Sequence, residues 1–242
     1  MNQAIDSQGL ALGPAAMGGL RLCLNGEDAV MRPSGALWLE ASRTLIVADL
    51  HLEKGSSYAS KGQLLPPYDS RETLRRLAGE TGALNPETLV LLGDTFHDGA
   101  GEFRLGAVDT EALASLGRGR SLVWVLGNHD YEGPALLPGD VVDDLILGSL
   151  ILRHEPLPGE QAGEISGHLH PCARVASLRG SVRRRCFVTD GGRMIVPAFG
   201  AYAGGLNILD PAFGGLFSGP VIAGALGSDR VHAVGRRSMR PD

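Results

Sequence analysis

The chain has 242 residues, 43% hydrophobic and 20% charged, with a formal net charge of −5. That suits one α/β domain or two small ones around a buried core. It excludes the global basic field that draws a protein to nucleic acid, though not a local basic patch. The three cysteines, Cys23, Cys172 and Cys186, form neither a CxxC pair nor a disulfide framework, which points to a reducing compartment.

Residues 1–17 are rich in Ala and Gly without a period and read as a flexible lead-in. They hold no basic segment followed by an apolar one, so the expectation is a cytoplasmic protein. Leu20–Leu24 and Ala29–Arg32 flank Asn25-Gly26 and read as a hairpin. Thr44–Ala48, Thr88–Leu92 and Ser121–Leu126 are unbroken apolar runs, ending at Asp49, Gly93-Asp94 and Gly127-Asn128. Between them lie two helix candidates, Ser70–Leu77 and Thr110–Leu116. Strand, helix, strand, helix, strand predicts a buried parallel sheet that delivers Asp49, Asp94 and Asn128 to one edge.

The second half predicts antiparallel hairpins. Leu145–Leu147 pairs with Leu150–Arg153, and Ala173–Leu178 with Ser181–Val188. The longest apolar stretch, near Leu145–Leu152, is broken by Gly148 and Ser149 and too short to span a bilayer, so no membrane role is expected. The main domain is expected over 18–212, and 213–242 reads as a weakly ordered Gly/Arg-rich tail.

Six of the seven histidines sit in five short blocks. These are Asp49-Leu50-His51, Gly93-Asp94-Thr95-Phe96-His97-Asp98, Gly127-Asn128-His129-Asp130, Arg153-His154-Glu155-Pro156 and Gly167-His168-Leu169-His170-Pro171. Two divalent ions in a hydrolase lie about 3.5–4 Å apart and need a bridging anion, for which Asp94 is the central carboxylate. Asp49 and His51, two apart, would share a face of an extended strand and reach one ion. His168 and His170 have the same spacing and can serve different ions, with Asn128 and His154 completing the ligands of the second ion. Mixed N and O donors suit Mn, Fe, Zn, Ni or Co better than Ca, and Mn²⁺ is the expectation.

In this order the blocks resemble the calcineurin-like metallophosphoesterase superfamily, over residues 44 to 171. The resemblance implies a four-layer αββα sandwich of two facing mixed β-sheets. It implies one ion on Asp49, His51, Asp94 and His170, and a second on Asp94, Asn128, His154 and His168. It further implies phosphoester hydrolysis by a water activated between the ions. His129 then protonates the leaving group or stabilises the transition state.

Many superfamily members carry an Asp three residues after the bridging one, orienting the histidine of the Gly-Asn-His block. Here that place is His97, as in the double-strand-break repair nuclease branch, where the extra histidine contributes to nuclease activity. Asp98 and Asp130 are the candidates for the missing orienting carboxylate. A narrower resemblance covers roughly residues 20 to 210. Ala48–Gly55, Arg153–Pro156, Pro197–Tyr202 and Gly204–Asn207 are similar to the bacterial ligase-associated DNA damage response endonucleases. It implies DNA as substrate, in repair beside an ATP-dependent ligase and a helicase; a homodimer is one arrangement the sequence allows.

Between Arg174 and Arg193 lie six arginines against one acid, Asp190. Arginines on a β-ribbon can hold a phosphate backbone. Arg174 and Arg184, with Arg153 and Lys54, are the expected substrate contacts. The competing readings are a phosphatase or phosphodiesterase of small nucleotides, and a metal-stabilised interaction protein that does no catalysis.

Overall fold

The computed structural model describes residues 4–5, 10–177 and 180–242. Arg179 of the arginine run, and residues 1–3 and 6–9 of the lead-in, lie outside them.

The first sheet takes its strands in chain order. They are β1 (Ala4–Ile5), β2 (Ala11–Pro14), β3 (Leu20–Leu24), β4 (Glu27–Met31), β5 (Leu37–Leu39), β6 (Thr44–Ala48), β7 (Thr88–Leu92), β8 (Ser121–Val125) and β9 (Asp140–Val142). Pairing is antiparallel from β1 to β6 and parallel from β6 to β9. Four helices accompany it among the described residues: α1 (Lys54–Ser60), α2 (Asp69–Leu84), α3 (Gly101–Arg104) and α4 (Ala107–Leu116). α2 outruns the expected Ser70–Leu77 and stops at Asn85, which turns left-handed (φ 44°).

The second sheet holds β10 (Asp144–Leu147), β11 (Leu150–Arg153), β12 (Glu164–Ser166), β13 (Pro171–Ser177), β14 (Gly180–Thr189), β15 (Met194–Ile195), β16 (Leu206–Asn207), β17 (Ile222–Leu226), β18 (Val231–Gly235) and β19 (Met239–Arg240). The β10–β11 and β13–β14 hairpins are antiparallel, whereas β12 pairs in parallel with both β11 and β15.

After their first residues, Thr44, Thr88 and Ser121, β6, β7 and β8 are apolar at every position because both faces are covered. Ile46, Ala48, Val90, Leu92, Val123 and Val125 face the second sheet through Leu152, Ile165, Phe187 and Met194. The alternate residues Leu45, Val47, Leu89, Leu91 and Trp124 face Leu74 and Leu77 of α2 and Leu113 and Leu116 of α4. The layers are therefore helix, sheet and sheet, and the fourth is thin. Phe213, in a single 3₁₀ turn (Pro211–Phe213), and Leu216 cover Cys186, Val188 and Ala223 on the outer face of the second sheet.

The ends correct the expected domain limits. Within the lead-in, β2 pairs with β3 and buries Leu12. The expected weakly ordered tail, 213–242, instead contains β17, buried at all five residues and paired to β14 from Cys186↔Ala225 to Thr189↔Ile222. Its Gly and Ala content hid a strand whose small residues are a packing need. A Cβ on Gly224 would lie 2.3 Å from Sδ of the buried Met31.

Candidate metal centre

Asp49, Asp94 and Asn128 follow the carboxyl ends of the adjacent parallel strands β6, β7 and β8. His154 follows β11, and His168 and His170 lie between β12 and β13. Five of these residues have left-handed backbone: Asp49 (φ 53°), His51 (44°), Asp94 (47°), His168 (64°) and His170 (46°). Left-handed backbone costs a non-glycine residue roughly 1–2 kcal/mol and persists only where neighbours impose it. Here hydrogen bonds do so. The Asp49 amide donates to the Gly93 carbonyl (3.1 Å) and the His51 amide to that of Asp94 (2.9 Å). The Gly200 amide donates to the Asp49 carbonyl (3.1 Å), and the His168 amide donates to the Asp49 carboxylate (3.1 and 3.2 Å). Gly93 (φ 74°) must be glycine, since a Cβ there would stand 2.2 Å from His154 Nδ1.

The expected ligands form two groups of metal-binding type, Asp49–His51–His170 and Asp94–His154–His168, and His51 also belongs to a third, with His97 and His129. In the first, His170 Nε2 lies 3.2 Å from His51 Nε2 and 3.2 Å from Asp49 Oδ1. In the second, His154 Nε2 lies 3.3 Å from His168 Nδ1 and 3.4 Å from Asp94 Oδ2. Asn128 Oδ1 is 3.0 Å from His154 Nε2 and 2.9 Å from His168 Nδ1. Asp94 Oδ2 is also 3.9 Å from His51 Nε2, which places it between the groups. Ring nitrogens facing each other at such range repel unless a proton or a cation lies among them. Donor atoms about 2.1 Å from a shared divalent ion are spaced by about 3.0 Å in an octahedron and about 3.4 Å in a tetrahedron. The observed spacings match those edges, so the donor set fits a divalent metal.

The charge pattern agrees. Burial, against the pull of the Asp49 and Asp94 carboxylates, drives His51 down to about 3, leaving it a neutral donor. Burial also opposes a charged His154, but its hydrogen bond to Asp94 and the charges of Asp49 and Asp94 raise it to about 9. Asp94 resists burial through the His154 contact and falls to about 2.

His129 stands beside both groups. Its amide donates to Asp94 Oδ1 (2.9 Å), and its Nε2 lies 3.9 Å from Asp94 Oδ2. Its Nδ1 lies 2.8 Å from the carbonyl oxygen of His97. A carbonyl only accepts, so Nδ1 carries hydrogen and Nε2 is the proton-exchanging atom. Neither candidate carboxylate orients this ring. Asp98 pairs with Arg104 (2.8 and 2.9 Å). Asp130 accepts from the amides of Asp94 (3.1 Å), Gly127 (3.2 Å) and Phe96 (3.1 Å). The His97 ring stacks on His129 at 5.5 Å and meets His51 edge-on at 5.6 Å. Its buried Nδ1 has no hydrogen-bond partner. Burial and then the Lys54 charge lower its pKa.

The expected substrate contacts divide. Lys54, at the start of α1, lies 5.9 Å over the Tyr58 ring, which adjoins His97 at 5.8 Å. α1 (Lys-Gly-Ser-Ser-Tyr-Ala-Ser) carries little helix signal in its sequence, with a glycine and three serines among seven residues. Arg153, expected on substrate, is instead committed to Asp144 (2.6 Å) and Glu164 (3.6 Å). Arg174 is held by Ser181 Oγ (2.7 Å) and the Pro241 carbonyl (3.3 Å). Arg193 is buried against Glu164, bonding it through Nε at 2.8 Å. Arg184 is exposed and, among the described residues, bonds only the neighbouring Arg183 carbonyl (3.1 Å).

The family model for calcineurin-like phosphoesterases matches residues 42–193. Among solved structures, the chain is similar to the nuclease MPE of Pseudomonas putida, at 26% identity and a TM-score of 0.68, covering 89% of this chain and 100% of that one. It also matches YfcE, a phosphoesterase from E. coli, at 16% identity and a TM-score of 0.40, covering 79% and 98%. No curated protein sequence matches it.

Proposed function

The chain belongs to the calcineurin-like phosphoesterase family and is a metal-dependent hydrolase, and from that premise we propose that it is a two-metal phosphodiesterase that cuts DNA internally. The observation that carries the reading is the pair of donor groups joined through Asp94. The likeness to a nuclease over that protein's whole length turns it toward nucleic acid.

Asp49, His51, Asp94 and His170 would hold one ion, and Asp94, Asn128, His154 and His168 the other. Bound divalent ions activate a water and neutralise the phosphoryl oxygens. The water oxygen bonds to phosphorus as the bond to the leaving oxygen breaks, and His129 Nε2, in its cationic form, gives that oxygen a proton. The His97 carbonyl keeps the His129 ring aimed, and the His97 ring limits its tilt by stacking. Lys54 offsets charge on the substrate phosphate.

The finer terms of the proposal are Mn²⁺ as the physiological ion and a cytoplasmic role in DNA repair alongside an ATP-dependent ligase and a helicase. No described helix is long and apolar enough to cross a membrane. The test is cleavage of labelled single-stranded, duplex and closed circular DNA with Mn²⁺, comparing wild type with His129→Ala and Asp94→Asn. Nicking of closed circles that both variants lose is expected. No cleavage of any DNA, beside brisk Mn²⁺-dependent hydrolysis of a small phosphodiester, would overturn the nuclease reading in favour of small nucleotides.

A further inference from the structure

A cavity of about 670 Å³ is lined by Arg76, Arg183, Arg184 and Arg185. Of its acids, Glu80 is bonded to Arg32 (2.9 Å) and Asp229 to Arg230 (3.2 Å). Arg183 has Asp242 at 3.4 Å. Among the described residues, no carboxylate lies within ion-pair distance of Arg76, Arg184 or Arg185. Arg76 leans on the Phe199 ring at 4.7 Å and donates through Nη2 to the Phe199 carbonyl, while its buried Nε has no partner. Arg185 donates through Nη1 to the carbonyls of Ala198 (2.9 Å) and Gly200 (3.0 Å). Burial, and next the charge of Arg185, lower Arg76 to about 10. Glu72 opposes this from a distance but is bonded to Arg75, and two half-buried cations side by side with no carboxylate in direct contact are costly unless an anion joins them.

The cavity's place is informative. Its Arg32–Ser34 rim belongs to the turn before β5, which begins opposite Ile46 of β6, at the end of the sheet where Asp49 emerges. Arg76 and Arg185 donate to carbonyls of the Ala198–Gly200 segment, and the amides of Phe199 and Gly200 in that segment bond the carbonyls of Ala48 (2.8 Å) and Asp49 (3.1 Å). The cationic cavity and the metal donors thus flank one strip of backbone. A polyanion crossing that rim would meet both.

We propose that the cavity walled by Arg76, Arg184 and Arg185 is a second phosphate site, which grips a backbone phosphate of the nucleic acid away from the bond being cut. It rests on the nuclease reading and adds to it the surface that favours a polymer over a small ester. Guanidinium groups suit it, since they bind phosphate in two-point fashion without reading base identity.

The test is KM for Mn²⁺-dependent cleavage of a fluorescein-labelled duplex oligonucleotide over a NaCl series. Arg184→Glu changes an exposed side chain, so it reads out even if Arg76→Gln fails to fold. Each is expected to raise KM about five- to tenfold and to lower the salt slope by about one per lost contact. Arg75→Ala, one residue away but bonded to Glu72 at 2.8 Å, is expected to leave both at wild-type values. Wild-type KM and slope in Arg184→Glu and Arg76→Gln, with duplex still cut, would overturn the proposal and spare the nuclease reading. An equal shift in Arg75→Ala would also overturn it, by showing a diffuse field. If wild type cuts no DNA, the nuclease reading falls. A melting-temperature rise with inorganic phosphate, lost in Arg184→Glu, would then assign the cavity to free phosphate and overturn the backbone reading.

Discussion

Asp130→Ala tests how the centre is supported. The Asp130 carboxylate is 8% exposed and accepts the amides of Asp94, Gly127 and Phe96 at 3.1–3.2 Å. It thereby ties the loop after β7 to the loop after β8. Alanine leaves three amides without an acceptor, each costing about 1–3 kcal/mol when buried. Water entering the gap returns part of this, so the expected loss is about 3–5 kcal/mol. At about 2–4 °C per kcal/mol for a chain of this size, the melting temperature falls by ~10 °C. Asp130→Asn keeps one acceptor and turns an NH₂ toward a donor, so about half the loss is expected. Scanning calorimetry reads both, and Mn²⁺-dependent hydrolysis of a model phosphodiester reads the displaced Asp94. An Asp130→Ala protein melting within ~2 °C of wild type would refute the reasoning.

Arg193→Met should cost about 3–5 kcal/mol in chemical denaturation, because it leaves the buried Glu164 carboxylate only the Leu157 amide (3.2 Å) and the longer Arg153 contact (3.6 Å). Adding Glu164→Leu should recover most of that loss. Gly93→Ala should weaken Mn²⁺ affinity about 10–100-fold by pushing His154; unaltered affinity by calorimetric titration would contradict the close approach. Asp98 has burial against it, yet its hydrogen bonds from Arg104 lower it from 3.8 to about 2. A depressed carboxylate stabilises the fold above its unfolded pKa and loses that contribution as pH falls through the folded one. Wild type should therefore melt above Asp98→Asn at pH 7, and the gap should close between pH 4 and about 2.

The order of the blocks and the apolar runs before them made the centre legible, since both follow from one requirement: strands covered on both faces must end at the site. What stayed hidden was backbone chemistry. A carboxylate was sought to orient His129, and the structure uses the His97 carbonyl; every residue has a carbonyl, so no letter marks the one in use. The arginine run is uniform as text, but Arg193 is interior and Arg174 is committed to neighbours. Arg76, far away in the chain on α2, completes the cationic cavity instead. β17 escaped because Gly and Ala carry little strand signal, although packing against Met31 demands them.

The Asp49-x-His51 spacing brings two donor side chains together by a geometry other than strand alternation. Alternation along an extended strand would put both side chains on one face, but β6 ends at Ala48. Beyond it the chain alternates differently. Asp49, His51 and Glu53 are left-handed, while Leu50 and Leu52 are not and are buried in the helix-side core. The apolar pair anchors the segment from one side as the left-handed residues turn their side chains to the other. The same pattern recurs at His168 and His170, with partly buried Leu169 packed on the outer core of the second sheet. In both places an apolar residue between two donors fixes the backbone that aims them. Its replacement should therefore disturb metal binding more than its distance from the donors' atoms suggests. Leu50→Ala opens a cavity in a fully packed place, at a cost of about 2–5 kcal/mol. It should also lower Mn²⁺ affinity, whereas Leu77→Ala, equally buried in the same core but on α2, should lower stability alone. Equal metal affinity in the two variants would show that the left-handed turns hold without their apolar anchor.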